Sequence, residues 1–582
     1  MWPKNWRNEI WNRLDQPWDI IVVGGGITGA GILREATRLG LKTLLVEQKD
    51  FSWGTSSRSS KMVHGGLRYL KDGNVLLTLA SVQERERLLE EGPGLIDPLG
   101  FLLATYKGDN PGRFTYGAGL SVYDLLALQW SHQYFSAQDF QMLAPHIAQE
   151  GLGGGFRYGD AQTDDARLVL RIIQEAVAQG GTALNYACAE GLLYNEADQV
   201  NGIRLRDCAA DRQADVHAAV VINATGAWAD RLRIAVGAPA RIRPLRGSHL
   251  LFPAWRFPVA QAVSFLHPID RRPVFIFPWE GVTLAGTTDL DHNQPLDEEP
   301  AIAADEIAYL MAGVNAQFPS LNLTLNDVIA TFAGVRPVIG TGKSDPSQES
   351  RDHVVWNERG LLTVTGGKLT TFRLIALDAL KAVHARLPQM PQPDSNTPVL
   401  DSVSVNLPGA EQLDESMRRR LLGRYGADTP ALIKAAQPGE LEIIPGTNAL
   451  WAELRWAARS EAIVHLDDLL LRRVRLGLML PQGGMEQMAR IRAVCQTELG
   501  WDDTRWKEEE RAYHALWCAA YSLPEDCEIP DTQKLIAVAR KERALRAEAH
   551  RRTVVKGTAV TMGLLGAATA LLAGYFLLRK KK

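Results

Sequence analysis

Asp19-Ile20-Ile21-Val22-Val23-Gly24-Gly25-Gly26-Ile27-Thr28-Gly29 joins a short apolar, β-branched run to a G-x-G-x-x-G turn, and a helical pattern follows from Ala30 to Leu39. Strand, tight turn and helix in that order make a phosphate-binding unit. Gly24 allows the turn, Gly26 lets the backbone approach a pyrophosphate, and Gly29 lets the helix pack close to its strand. A second apolar run, Thr43-Leu44-Leu45-Val46, ends in Glu47, 18 residues after Gly29. A carboxylate there can accept hydrogen bonds from ribose hydroxyls. The unit reads as a dinucleotide site within an α/β fold and does not by itself choose between flavin and nicotinamide dinucleotides.

The rest of the chain must house such a cofactor. At 582 residues it exceeds a single core, so two or three domains are expected. The formal net charge of −3, with both signs interspersed, provides no field to gather nucleic acid. Five cysteines, Cys188, Cys208, Cys495, Cys518 and Cys527, never occur as C-x-x-C. They suggest reduced thiols in a cytoplasmic compartment, without a disulfide framework or zinc cluster. No spacing of His, Cys, Asp and Glu calls for a metal.

At the N-terminus, Trp2, Trp6, Ile10 and Leu14 form a helical stripe over 1–17, suited either to a membrane interface or to packing on the body of the protein. Nothing there resembles a secretory signal. From 18 to 386, apolar runs alternate with helical patterns, the texture of a mixed α/β module. A proline-rich stretch opens a linker over 387–410, and helix-period sequence fills a separate domain over 411–530. A basic helix is expected over 531–556. Residues 557–578 then carry no charge over 22 positions and are followed by Arg579, Lys580, Lys581 and Lys582. That length can cross a bilayer, so the expectation is a C-terminal transmembrane helix that tail-anchors a catalytic domain facing the cytoplasm. Small residues along it, Gly563, Ala567, Ala570 and Gly574, would permit close helix pairing and with it a homodimer.

The stretch Gly54-Thr55-Ser56-Ser57-Arg58-Ser59-Ser60-Lys61-Met62-Val63-His64-Gly65-Gly66-Leu67-Arg68-Tyr69 follows the dinucleotide unit. Gly65 and Gly66 beside His64 let a backbone lie against a flat ring, and the Ser/Thr run supplies neutral hydrogen-bonding groups. Further on come Asp164-Asp165-Ala166-Arg167-Leu168, Asn223-Ala224-Thr225-Gly226, Arg246-Gly247-Ser248-His249, Gly286-Thr287-Thr288-Asp289, Gly334-Val335-Arg336-Pro337 and Gly366-Gly367-Lys368-Leu369-Thr370. Leu466-Asp467-Asp468-Leu469 with Arg472 and Arg473 completes the series. In this order, over roughly 18–524, the chain resembles the FAD-dependent glycerol-3-phosphate dehydrogenases, within the D-amino-acid-oxidase-like superfamily.

The resemblance implies a Rossmann-like FAD-binding domain (about 18–90, 155–240 and 331–386) and an antiparallel-sheet substrate domain (about 91–154 and 241–330). It implies FAD contacts at Gly24, Gly26, Gly29, Glu47, Thr55, Ser56, Ser57, Ser60, Lys61, His64, Gly65, Gly226, Gly367, Lys368, Leu369 and Thr370. Arg68, Tyr69, Arg336 and Arg351 line its substrate site. A dianionic phosphate needs such a cation cluster with at least one bidentate donor. The implied reaction is oxidation of glycerol 3-phosphate at C2, hydride going to the flavin, with electrons passed to membrane quinone. His64 or His249 suits the proton acceptor, while Arg336 and Lys368 suit stabilisation of developing negative charge. An oxygen-using oxidase, an amine or amino-acid oxidase, and a tail-anchored scaffold without chemistry are the competing readings. The tail departs from the family, whose bacterial members associate with membranes without an obvious spanning segment.

Overall fold

A computed structural model describes residues 2–538 and 541, apart from 4, 68–69, 71–72, 110–111, 128–129, 341, 343–348, 350–351, 404–405, 525–528 and 533. The apolar run Trp18–Val23 lies in a mainly parallel sheet, with Thr43–Val46 on one side and Gln213–Asn223 on the other. Thr182–Leu184 and Leu361–Gly366 extend the parallel set, and His353–Glu358 closes one edge antiparallel. These strands are buried on both faces, which explains why they read as continuous apolar runs rather than alternating ones. Helix Ile27–Arg38 packs against helices Asp165–Ala178 and Phe372–Val383 in the core beside this sheet. Strands Ala187–Tyr194 and Val200–Asp207 form an antiparallel flap on Gln213–Asn223.

A second sheet runs in the order Leu290–Asp291, Ile242–Pro253, Val282–Gly286, Pro273–Trp279, Ala262–Leu266, Ile96–Tyr106, Leu152–Thr163 and Met62–Val63. It is antiparallel except where Ala262–Leu266 pairs parallel with Ile96–Tyr106, so the expected antiparallel sheet is in fact mixed. Strand Ala330–Ile339 joins this sheet by pairing along Ile242–Pro253. The segment from 331 therefore begins in the second sheet before the chain crosses to the first. The C-terminal helices, among them Trp451–Ser460, Met488–Leu499 and Asp503–Ala520, share one core with the second sheet, in which Phe101, Phe277 and Phe332 meet Trp451, Trp506 and Trp517.

Two expectations change on folding. The N-terminal stripe forms a helix only over Trp6–Trp11, and Trp2, Ile10, Trp11 and Leu14 are buried. Trp2 stacks on Phe51 with ring centroids 5.5 Å apart, and Arg7 donates to the carbonyls of Asn185 and Tyr186. The stripe therefore covers the body of the protein rather than lipid. The proline-rich linker is likewise packed down: Leu387, Met390, Val399 and Leu400 are buried, and Arg34 Nε donates to the Val399 carbonyl at 3.1 Å. Among the described residues no helix is long and apolar enough to cross a membrane. The 557–578 run lies outside the described residues.

Buried ion pairs join the C-terminal helices to the cofactor module. Asp50 accepts both terminal nitrogens of Arg473, at 2.6 and 2.8 Å, and Arg472 Nε at 2.6 Å. Two residues on, Ser52 N–H donates to the Gly25 carbonyl at 2.9 Å, so the loop pinned by Asp50 also backs the glycine turn. Burial alone would raise the Asp50 carboxyl, but Arg473 and Arg472 hold it down at about 2. A depressed carboxylate contributes stability above its unfolded value of about 4 and loses it as pH falls toward 2. Asp50→Ala leaves two guanidinium groups buried without their shared partner. It is expected to destabilise the protein by about 3–5 kcal/mol, read as a lower urea midpoint of the holoenzyme at neutral pH.

Candidate active site

The glycine turn sits where Trp18–Val23 and Gln213–Asn223 end side by side. Gly24 takes φ +114°, and a Cβ on it would stand 2.5 Å from the Ala224 carbonyl oxygen. A Cβ on Gly29 would stand 1.9 Å from the Gly24 carbonyl oxygen. Gly26, Ile27 and Thr28 are half-buried between fully buried neighbours, so solvent reaches the N-terminus of helix Ile27–Arg38. A helix start of this kind, with glycine at its N-cap, fits a pyrophosphate. Ser56 Oγ accepts from the Ile27 N–H at 2.9 Å. Glu47 accepts from the N–H groups of Gly25 and Lys49 at 2.7 and 2.9 Å, and burial pushes its carboxyl above the usual range while those two bonds pull it back. Each oxygen retains a lone pair for ribose.

Segment 54–65 runs from this turn toward the second sheet, fastened at several points. Thr55 Oγ1 donates to the Val335 carbonyl, next to Arg336. The Ser57 carbonyl accepts from Arg475 Nη2 at 2.8 Å and Lys61 Nζ at 3.1 Å. Asp165 accepts from Ser59 Oγ at 2.7 Å and from Lys61 Nζ at 3.0 Å. Lys61 is thus fully buried inside the protein, and burial followed by the Arg475 charge lowers its ammonium to about 8. Held by Asp165 and the Ser57 carbonyl, its ammonium locks the loop from behind. Gly65 N–H donates to Asp160 Oδ1 at 3.0 Å, and a Cβ on Gly65 would strike the Tyr123 hydroxyl and Val82.

The titratable groups divide by exposure. His64 is half-buried, its N–H bonded to Thr370 Oγ1 at 3.1 Å, and Thr370 donates back to the His64 carbonyl at 3.3 Å. His249 is 2% exposed, stacked on Phe332 with ring centroids 4.5 Å apart, and its Nε2 lies 3.0 Å from Ser60 Oγ. Burial, then the charges of Lys61 and Arg336, hold its imidazole well below the usual range. Arg336 is half-buried; Nη2 donates to the Thr288 carbonyl at 3.1 Å and Nη1 to Asp289 at 3.3 Å. Lys368 Nζ donates to Ser81 Oγ at 3.2 Å. It sits in a half-buried turn with Gly367, at φ +76°, and Leu369, ahead of helix Phe372–Val383. Gly226 takes φ +59°, a Cβ on it would lie 3.9 Å from Pro337 Cγ, and its carbonyl accepts from Thr365 Oγ1.

Segment 54–65 is therefore held at one end beside Arg336 and at the other by Thr370, two residues from Lys368. Arg68, Tyr69 and Arg351 lie outside the described residues. The sequence reading missed Asp165, Arg475 and Asp160. Asp165 stood in a recognised motif without a role, whereas nothing near Arg475 in the chain indicates that it reaches Ser57.

A family model described as FAD dependent oxidoreductase matches residues 19–373, and one described as C-terminal domain of alpha-glycerophosphate oxidase matches 384–506. An aerobic glycerol-3-phosphate dehydrogenase of Staphylococcus aureus is 34% identical over 495 residues, covering 81% of this chain and 87% of that protein. The structure of the glycerol-3-phosphate dehydrogenase from Bacillus halodurans complexed with FAD superposes with a TM-score of 0.72 at 28% identity, over 89% of this chain and 98% of that one. An L-alpha-glycerophosphate oxidase from Mycoplasma pneumoniae with FAD bound shares the fold, with a TM-score of 0.53 at 18% identity over 67% of this chain and 99% of its own. Fold and site thus define an FAD-dependent oxidoreductase, with FAD as its cofactor. Within that class, the chain belongs to the glycerol-3-phosphate dehydrogenase family.

Proposed function

We propose that this protein oxidises the C2 hydroxyl of sn-glycerol 3-phosphate to the ketone of dihydroxyacetone phosphate and passes the electrons to a membrane quinone. The observation that carries the reading is the placing of two half-buried cations, Arg336 and Lys368, at opposite fastenings of the segment that ends in His64. Gly24, Gly26, Gly29, Glu47, Thr55, Ser56, Ser57, Ser60, Gly65, Gly226, Gly367, Leu369 and Thr370 would hold FAD, most through backbone or hydroxyl groups. Bound there, FAD would supply the hydride-accepting and electron-transferring chemistry.

The chain's own groups do the rest. Arg336, oriented by Asp289 and the Thr288 carbonyl, presents a planar cation to the substrate. Arg68, Tyr69 and Arg351 complete the phosphate pocket by family resemblance. Lys368 places a positive charge where electron density gathers. His64 takes the hydroxyl proton, because a base held far below its usual range, as His249 is, is weak at neutral pH. His249 instead steadies Ser60. His64→Asn is expected to lower kcat by about 10²–10⁴ with FAD content intact, and His249→Asn by less. The opposite ranking in steady-state kinetics would exchange their roles.

The uncharged 557–578 run supports a tail anchor and a lipid-borne acceptor, and the anchor is proposed to leave the catalytic body in the cytoplasm. The second family model, drawn from alpha-glycerophosphate oxidase, favours oxygen as the other acceptor. Turnover of glycerol 3-phosphate with and without a short-chain quinone separates the two. Quinone reduction matching ketone formation is expected, and peroxide formed in step with ketone without quinone would overturn that acceptor.

A further inference from the structure

Cys188 and Cys208 are 20 positions apart in the sequence and meet on the antiparallel flap. Cys188, in strand Ala187–Tyr194, stands opposite Arg206, and Cys208 follows the last residue of strand Val200–Asp207. The Cys208 N–H donates to the Tyr186 carbonyl at 2.7 Å, which carries the pairing one step past the strand. Side chains alternate across a sheet, so Cys188, Arg206 and Cys208 share one face while Ala187 and Asp207 take the other. Ala187 and Asp207 are buried. On the outer face Cys208 is exposed, Cys188 is half-buried, and Arg206 pairs with Glu190.

The two thiols are turned toward each other. Cys208 Sγ bends back along its strand to lie 4.0 Å from the carbonyl of Arg206, the residue facing Cys188. There it accepts hydrogen bonds from the S–H and the N–H of Cys188. The Cys188 thiol, then the Arg206 guanidinium, outweigh partial burial and draw the Cys208 thiol down to about 7. Donating that bond pushes Cys188 up. A solvent-exposed thiolate beside a guanidinium, with a second thiol against it, has the parts of an oxidisable dithiol. Cys495 is the opposite case, buried and pushed up by that burial.

We propose that Cys208 and Cys188 form a dithiol site that hydroperoxides oxidise to a disulfide, with Cys208 attacking and Cys188 resolving. The Cys208 sulfur attacks a peroxide oxygen, the O–O bond breaks, and hydroxide leaves a sulfenic acid on Cys208. Once Cys208 is oxidised, Cys188 no longer donates to a thiolate and regains its nucleophilic form. Its sulfur attacks the Cys208 sulfur, the S–O bond breaks, and water leaves. Two thiols thus give up two electrons and two protons, and hydrogen peroxide becomes two waters. Because Cys208 lies past the last residue of its strand, it can shift to meet disulfide geometry without disturbing the pairs before it. The flap is fastened to the cofactor module, the N–H groups of Tyr186 and Ala187 donating to the carbonyls of Lys49 and Glu47 at 2.8 and 2.7 Å. The site does not depend on which acceptor takes the flavin's electrons.

Treating the reduced holoenzyme with hydrogen peroxide at neutral pH, then alkylating and mapping peptides without reductant, tests it. Cys208 is expected to oxidise about three- to tenfold faster than the exposed Cys518, whose Sγ lies 3.7 Å from His514 Nε2. The product should be one Cys188–Cys208 link within each chain, reopened by a dithiol reductant. In Cys188→Ser, Cys208 should stop at a sulfenic acid that a 1,3-diketone traps, with FAD content and bleaching by glycerol 3-phosphate unchanged. In Cys208→Ser, Cys188 should stay reduced; its oxidation there at the wild-type rate would overturn the assigned roles. Cys208 reacting no faster than Cys518, over-oxidising without a link, or linking only between two copies of the chain would overturn the site.

Discussion

Gly29→Val is expected to yield a folded but colourless protein. Any Cβ at this position would sit 1.9 Å from the Gly24 carbonyl oxygen, a backbone atom that cannot swing aside as a flexible side chain could. Relief requires helix Ile27–Arg38 to move away from strand Trp18–Val23, which carries its N-terminus out of the pyrophosphate position. Overpacking of this kind costs about 1–3 kcal/mol, and more where backbone must shift, so FAD occupancy should fall tenfold or more. The flavin-to-protein absorbance ratio of purified protein gives the answer, with circular dichroism confirming the fold. Gly40→Ala is the control: Gly40 takes φ +79° with nothing within 4 Å of a Cβ, so the variant should lose about 1 kcal/mol to backbone strain and keep its flavin.

Arg336→Gln is expected to cut kcat/KM for glycerol 3-phosphate by about 10²–10³, the usual effect of removing one preorganised donor from developing charge. Its guanidinium is held by Asp289 and the Thr288 carbonyl, and Gly247 makes room for it, since a Cβ there would lie 2.1 Å from Nη2. Arg336→Lys should recover little, because a lysine cannot reproduce two bonds in one plane. FAD content should stay unchanged in both variants. Gly247→Ala, which displaces the guanidinium without removing it, should give an intermediate loss. Wild-type kcat/KM in Arg336→Gln would remove Arg336 from the substrate site.

These two sites show what can be read along a chain. Gly24, Gly26, Gly29 and Glu47 were legible because a strand, a tight turn and a helix start impose local spacing. Arg336, His64, His249 and Lys368 were legible as residue types in recognisable stretches, but not as partners. Ser60 and His249 are 189 residues apart, Lys61 and Asp165 are 104 apart, and Asp50 and Arg473 are 423 apart. Periodicity tells which face of an element is apolar; it is silent on which buried charges meet across two sheets. Hence Lys61, which stands in a row of expected cofactor contacts, turns its ammonium inward to Asp165.

The linker shows the same limit from the other side. Its prolines indicate a break between domains, but Leu387, Met390, Val399 and Leu400 lie among them and are buried against the cofactor module. Hydrophobic residues within a proline-rich stretch were the available signal. The N-terminal tryptophans carried no such signal, because an interfacial helix and a packed one show the same stripe. Only the buried seat of Trp2 against Phe51 separates them.

Bound FAD should meet glycerol 3-phosphate between the glycine turn and Arg336. Anaerobic titration of the purified holoenzyme with glycerol 3-phosphate tests that meeting without the acceptor or the membrane intervening. The oxidised flavin is expected to bleach, with one dihydroxyacetone phosphate formed per flavin. A spectrum that stays oxidised with glycerol 3-phosphate, or that bleaches with amines or amino acids instead, would refute it.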